Sequence, residues 1–470
     1  MAKTQRIRDT LHNLIEFDGR ELDKAAWEVI QSAPFQRLRR VKQLGFSEIV
    51  YPGATHSRLA HSIGVFHTAR KLMRIVERHL GPQEFSQTNA NKALIAALVH
   101  DVGHGPMSHA FEEFGDLHGL KLAHHEDVSD ALIQQSEISE VLQRHFGEGF
   151  AKDVAKIVNR KGPIDVYDTV VSSQFDADRL DYMQRDRLMC GTLHGVIDFE
   201  WLISNLHIGK VVFGEDDVKV DDVDTLVLGP KAIYAAEAYV LGLFQLYPTV
   251  YFHKTTRAAE KIYTQLLDRI FQLVKDGKAA NVGIQADHPI VEFCKQPDDL
   301  KNALRLDDAV IHGALPLLEN AKDPVVSELA SRLRVRKLLK AIDLRVELAA
   351  VVDSKDEKQR EARLDAMCDS IQAEIDNWPK GKTNDGAKRI LTDKVTRSAY
   401  KEFQESKGPL NQIRIRPGPG SDCVDLREVS AVVKAIGTFK VHRVYVRPDD
   451  KDARKFVEQL LEREKSNAKK

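Results

Sequence analysis

Apolar residues recur at three- and four-residue intervals along most of this chain, a spacing that predicts helices. Phe35, Leu38, Val41 and Leu44 form the apolar face of one expected helix, which Gly45 ends; Leu59, Ile63, Phe66, Met73 and Val76 form the stripe of another, with His61 beside it. Leu94, Ala97 and Leu98 carry a third into the pair His100-Asp101. Shorter helices are expected from near Leu22 to Ile30, over Met107 to Phe114, and from His125 through Val128, Leu132 and Ile133. Another covers Ser173 to Asp186, where Asp178, Tyr182 and Arg185 share a face, and a long helical run resumes at Lys231. Residues 276 to 345 stay helical.

Strand patterning is sparse. Arg8 to Phe17 predicts a short strand or hairpin, and Val211-Phe213, Val218-Val220 and Thr225-Leu228 a small hairpin excursion. Ile413-Ile415 and Val441-Val446 read as strands, separated by Pro417-Gly420 and a helix from Leu426 to Ile436. The fold expected is therefore mainly α, a helical core with a β-hairpin excursion and a C-terminal α+β appendage. Its regions are a body over 1–345, a charged, solvated helical linker over 346–390, and a small α+β region over 391–470 ending in a frayed Lys-rich tail.

Composition narrows the function classes. The 470 residues are 43% hydrophobic, enough for a real core, and Lys+Arg of 69 against Asp+Glu of 70 leaves no bulk charge for nucleic acid or an anionic membrane. Two local basic stretches remain, Arg37 to Lys42 and Arg332 to Lys337. Each reads as a solvated face or as a surface for phosphate. Cys190, Cys294, Cys368 and Cys423 have no metal-knuckle spacing and suit free thiols in a reducing cytoplasm. No apolar run approaches the roughly 20 residues of a membrane span, and the polar start lacks a signal-peptide core. A cytoplasmic protein without membrane contact is expected.

The candidate chemistry centres on Ala97 to Pro106. A buried helix that ends on adjacent imidazole and carboxylate groups needs compensation, either by a His–Asp hydrogen bond closing the helix or by a divalent cation. Gly103 and Gly105 allow a tight turn, and Pro106 suits the start of the next helix. His61, His100, Asp101 and Asp178 together offer two imidazoles and two carboxylates on helices, a set suited to Mn, Fe or Zn. Tyr247 to Arg257 interleaves aromatic and basic residues. It reads as a helix with a snorkelling polar edge or as a substrate face carrying Tyr251, His253, Lys254 and Arg257.

These residues carry a resemblance. His61, His100-Asp101 and Asp178 resemble the H…HD…D signature of the HD-domain phosphohydrolase superfamily. Phe35-Gln36-Arg37-Leu38-Arg39, Lys42-Gln43-Leu44-Gly45, Tyr51-Pro52-Gly53-Ala54, Arg58, His61-Ser62, Gly103-His104-Gly105-Pro106, Ser108-His109 and Asp181-Tyr182…Arg185-Asp186 are similar to its deoxynucleoside triphosphate triphosphohydrolase branch. The likeness covers roughly residues 5 to 345, with a metal-binding core of about 35–260. It implies that His61, His100, Asp101 and Asp178 bind the metal and that Arg58 and Arg179 face the α-phosphate, Arg179 standing where the family usually has lysine. It further implies sugar contacts from Gln43, Leu44, Tyr182 and Asp186, and a catalytic neighbourhood of His104, His109, Glu112 and His125. His109 is favoured as general acid because Glu112 lies one turn away; His104 and His125 stay open.

The resemblance implies a metal-dependent enzyme that cleaves a dNTP to deoxynucleoside and inorganic triphosphate, with a transition metal (Mn, Fe or Zn) at the HD site and Mg on the triphosphate. It also implies a homo-oligomer, dimer or tetramer. Some relatives take a nucleotide activator, read by an aspartate shortly before the Phe35-Gln36 helix; Gln31 and Ser32 stand there here. The alternatives are an HD-type nucleotidase or phosphodiesterase for a nucleoside monophosphate, cyclic nucleotide or alarmone, or a nucleotide-sensing module that binds single-stranded nucleic acid beside a residual site.

Overall fold

Ser57 starts the longest helix: its side chain accepts the Ala60 amide, and Arg58–Glu84 follows, interrupted where Gly81 takes φ +69° ahead of Pro82. Ser86 caps Gln87–Val99 in the same way, and the Asp176 carboxylate caps Ala177–Cys190 through the Arg179 amide. In Gln87–Val99, Ala90, Ala93 and every residue from Leu94 to Val99 are buried, so the C-terminal half of this helix is apolar on all sides and runs through the core. His61 and Asp178 lie in the first turns of their helices, and His100 is the C-cap of its own. Three helix ends thus carry the site.

The computed structural model describes residues 4–159, 165–215, 218–353, 356–400, 412–418 and 420–468, with the side chains of 212–223 outside the described residues. Pro419 of the expected Pro417-Gly420 break also lies outside them, as do Met1 to Lys3 and the last two lysines of the tail. Among the described residues the molecule is mainly helical with three small sheets. Gln5–Asp9 pairs antiparallel with Asn13–Phe17. Leu206–Glu215 and Val218–Leu228 form the expected hairpin, which the short strands Arg414–Ile415 and Val424–Asp425 extend to four strands. In the third sheet Phe439–Val446 lies between Lys340–Asp343 and Ile390–Arg397. Among the described residues no helix is long and apolar enough to cross a membrane, and all four cysteines are free.

Contacts group the chain into two units, each drawn from three stretches, whereas the sequence suggested consecutive regions. One unit holds 1–250, 296–309 and 398–437; the other holds 251–295, 310–397 and 438–470. The strands expected together after residue 391 are divided between them: Arg414–Ile415 belongs to the first unit and Phe439–Val446 to the second.

Several local expectations need correction. Phe35 to Gly45 is not one helix: Ala33–Arg37 passes into a 3₁₀ turn, Leu38–Arg40, and Val41 is extended. The Arg58 amide donates to the Val41 carbonyl at 2.9 Å and the Gln43 amide to the His56 carbonyl at 3.0 Å, so pairing with a neighbouring loop replaces the helical bonds. Its basic face is solvated only in part: Arg39 and Arg40 are exposed, while the other cations turn to the protein. Arg37 is buried and donates to the carbonyls of Leu306, Val102 and His104, Arg40 pairs with Asp307, and Lys42 with Glu48. In the second unit Arg332 pairs with Glu328 and Arg334 with Glu319. The region read as a solvated linker contains Glu357–Asp376, which buries Leu364, Met367, Cys368, Ile371 and Ile375. The tail is an ordered helix, Lys451–Ala468, packed through Ala453, Val457, Leu460 and Leu461. Leu426 to Ile436 splits at Ser430, which caps Ala431–Ala435.

Candidate metal centre

His61 is fully buried, and its two ring nitrogens face different partners. Nε2 lies 3.0 Å from Asp178 Oδ1 and 3.8 Å from Asp101 Oδ2; Nδ1 lies 2.9 Å from Asp181 Oδ2. His100 Nδ1 is 3.0 Å from the Ala97 carbonyl, which fixes the ring so that Nε2 faces Asp101 Oδ1 at 3.4 Å and Asp178 Oδ1 at 3.6 Å. Both Nε2 atoms are buried without a hydrogen bond, Asp178 lying off the hydrogen-bonding direction of His61 despite its closeness. Two imidazole nitrogens and two carboxylates converge there, a donor set that fits a divalent cation of the Mn, Fe or Zn kind. His61, His100 and Asp101 each offer a ligand atom to one point, and Asp178 Oδ1 is beside them.

Behind His61 stands a support that the sequence reading did not assign. Asp181 is fully buried; it takes His61 through Oδ2 and His12 Nε2 through Oδ1 at 2.7 Å, and Arg185 lies 2.7 Å from Oδ2. Arg185 continues to Asp9 at 2.8 Å. Burial opposes charge on Asp181, but Arg185, His12 and His61 hold its carboxyl well below the usual carboxylate range. Arg185, expected beside Asp178 and Tyr182 on a phosphate-facing stripe, is instead spent on this buried network. Gly64 makes room for it: a Cβ there would come within 2.1 Å of Asp181 Oδ1 and 2.2 Å of Arg185 Nη2.

On the other side of Asp101, His104 Nε2 approaches Oδ1 at 3.3 Å, and the His104 ring stacks on His125 at 4.0 Å. Glu112 lies 2.7 Å from His109 Nδ1 through one oxygen and 2.5 Å from His125 Nδ1 through the other. Burial is outweighed by His109 and His125, which keep Glu112 ionised far into acid. His104 is pushed well below its ordinary range by burial, with Arg58 and His125 adding to the effect. The backbone leading into this cluster is strained, with Met107 at φ +57° and Ser108 at φ +52°. Arg58 Nε, 2.9 Å from Ser108 Oγ, secures it, and the same guanidinium pairs with Asp101. Asp308, also unforeseen, accepts the Lys42 and Met107 amides, each at 2.8 Å.

The metal-ligand set and the His104, His109, Glu112, His125 set are thus each assembled in the first unit, around a cleft of about 200 Å³ walled by His100, Asp101, His125, Glu126 and Asp178. Arg58 adjoins it. Arg179 Nη1 reaches the Ser173 carbonyl and the Gln174 side chain at 3.2 Å, and Tyr182 is half-buried. Gln43 and Leu44 lie on the loop that replaces the expected helix. Asp186 is buried against His56 at 2.8 Å. Tyr251, His253, Lys254 and Arg257 belong to the second unit, where Arg257 pairs with Asp393 and Glu260.

A family model described as HD domain matches residues 58–183, which hold all four ligand candidates, and one described as HD associated region matches 197–308. YwfO of Bacillus subtilis, an uncharacterized protein, is 31% identical over 343 residues, 73% of this chain and 73% of its own length. The chain belongs to the HD-domain phosphohydrolase superfamily. This HD protein is also similar to the Dictyostelium discoideum homolog of the deoxynucleoside triphosphate triphosphohydrolase SAMHD1, 28% identical over 351 residues, 72% of this chain and 60% of that one. Its fold is shared by a phosphohydrolase of Bacteroides thetaiotaomicron, with a TM-score of 0.69, 24% identity, and coverage of 94% of this chain and 100% of the other.

Proposed function

We propose that this HD-domain phosphohydrolase hydrolyses a dNTP to deoxynucleoside and inorganic triphosphate. The observation that carries the reading is the start of Ala177–Cys190: Asp178, Arg179 and Tyr182 leave one helix within about two turns, or roughly 11 Å. Cation ligand, phosphate cation and sugar contact then lie side by side, which selects the phosphate nearest the sugar. The likeness to SAMHD1 proteins supports the same substrate class.

His61, His100, Asp101 and Asp178 would hold the cation. Bound there, a divalent ion polarises phosphoryl oxygens and supplies a water of lowered pKa. Arg58, held beside Asp101, and Arg179 offset charge on the phosphates. Cleavage at the α-phosphorus frees the 5′-oxygen, to which His109 delivers a proton from its exposed ring while Glu112 orients it. Glu112 fixes His125 at the same time, so one carboxylate sets two rings. Tyr182 fills the space of a ribose 2′-hydroxyl. Mg on the triphosphate and a dimer or tetramer belong to the same proposal.

Reaction in ¹⁸O water tests the bond broken: label is expected in triphosphate and none in the deoxynucleoside. First products of dNDP and phosphate, or of dNMP and pyrophosphate, would overturn the reading. A second expectation concerns the sugar: shape exclusion at Tyr182 gives a preference rather than a bar, so ATP should turn over about tenfold or more slowly than dATP. Equal rates would point to a general nucleotidase.

A further inference from the structure

On Arg58–Glu84, His67, Lys71, Arg74 and Arg78 follow at intervals of four, three and four residues, which stacks them in one stripe spanning about three turns. Two hollows lie along it. The first, of about 330 Å³, is walled by His12, His67, Lys71, Asp198 and Phe199, and the second, of about 520 Å³, by Lys71, Arg74, Ile75, Glu77 and Arg78. Lys71 and Glu200 stand in the walls of both.

The stripe is not neutralised. Lys71 pairs with Glu200 at 2.8 Å, but among the described residues no carboxylate reaches Arg74 or Arg78, Glu77 between them included. Like charges four residues apart on a helix repel, so Arg74 and Arg78 side by side cost stability unless an anion answers them. The first hollow has a different character. His12 and His67 set their rings 4.9 Å apart, and Lys71 Nζ lies 5.0 Å from the centre of the Phe199 ring. His67 Nδ1 is buried there with no hydrogen-bond partner.

We infer that this groove is a second anion site, distinct from the metal centre: an oligophosphate chain lies along Lys71, Arg74 and Arg78, and a ring attached to it enters the hollow beside Phe199 and His67. Its occupant would touch the metal centre's support, because His12 of the hollow is the residue that holds Asp181 behind His61. The chemistry fits a nucleoside oligophosphate or a free inorganic one.

Calorimetry on the full chain carrying His100→Ala and Asp178→Ala, which removes the metal and turnover, distinguishes the sources with inorganic triphosphate in one arm and dATP in the other. Triphosphate is expected to bind, more weakly at higher salt. Adding Arg74→Gln and Arg78→Gln should weaken it at least tenfold, and Arg74→Lys with Arg78→Lys should restore most of that loss. Tighter binding of dATP that disappears with Phe199→Ala assigns a nucleotide; equal affinities assign the inorganic anion. No binding in the His100→Ala, Asp178→Ala protein, or binding that the glutamine pair leaves within twofold, overturns the inference. Both arginines are exposed, so an unchanged melting temperature certifies the variants. The outcome does not depend on what the metal centre hydrolyses.

Discussion

Replacing His100 and Asp178 together by alanine is expected to empty the metal centre and reduce turnover to background, with the helical circular dichroism unchanged. The two residues supply half of the ligand set from different helix ends, and two remaining ligands do not retain a mid-row divalent ion. Asp101 is left in place for a reason. It neutralises the buried Arg58 guanidinium, and removing one member of a buried pair costs about 3–5 kcal/mol, which would confuse loss of metal with loss of fold. Metal content of the purified protein, near one ion per chain in the parent and near none in the variant, is the measurement. Turnover that survives without metal would reject the assignment.

The second large effect is expected at Asp181, which touches no substrate. Asp181→Ala leaves Arg185 buried with Asp9 as its remaining carboxylate and strands both His12 and the Nδ1 side of His61. A loss of about 3–5 kcal/mol in urea unfolding follows from the broken buried pair. Metal affinity should fall about 10- to 100-fold, since the carboxylate orients a ligating imidazole. Asp181→Asn keeps the shape and separates the two effects: stability recovers in part, while affinity stays low because the amide lacks the charge that raises the basicity of the ligating imidazole. An alanine variant within about 1 kcal/mol of the parent would show that the network carries little.

The ligand candidates were legible through their likeness to the H…HD…D signature, and the structure places each of them at or just beyond a helix end. The supporting shell was not. Asp181 and Arg185 stand at positions i and i+4 of a helix and read as an ordinary surface pair, and nothing local announces that His12, 169 residues away, completes them. The expected helix through Val41 failed for a similar reason: apolar spacing was right for burial, but the backbone found better partners in His56 and Arg58. In Glu357–Asp376 the error ran the other way, since dense charge on three sides hid a seam of Leu364, Cys368, Ile371 and Ile375 at the spacing of a packed helix. The basic stretches show that sequence alone does not distinguish a cation offered to a ligand from one already paired.

Asp308 has a consequence for the order of events during synthesis. The loops at Lys42 and Met107 are tied by a carboxylate encoded about 200 residues after the second of them, and at roughly 5–20 residues per second the ribosome delivers it some 10–40 seconds later. Until then the strained peptides at Met107 and Ser108 lack one of their fastenings, and Arg37 lacks the Leu306 carbonyl. The helices bearing His61, His100 and Asp178 are all made early, yet the two loops that Asp308 ties are fastened only once residue 308 has left the exit tunnel. A nascent chain arrested before that point is expected to capture a divalent ion less well than the full chain.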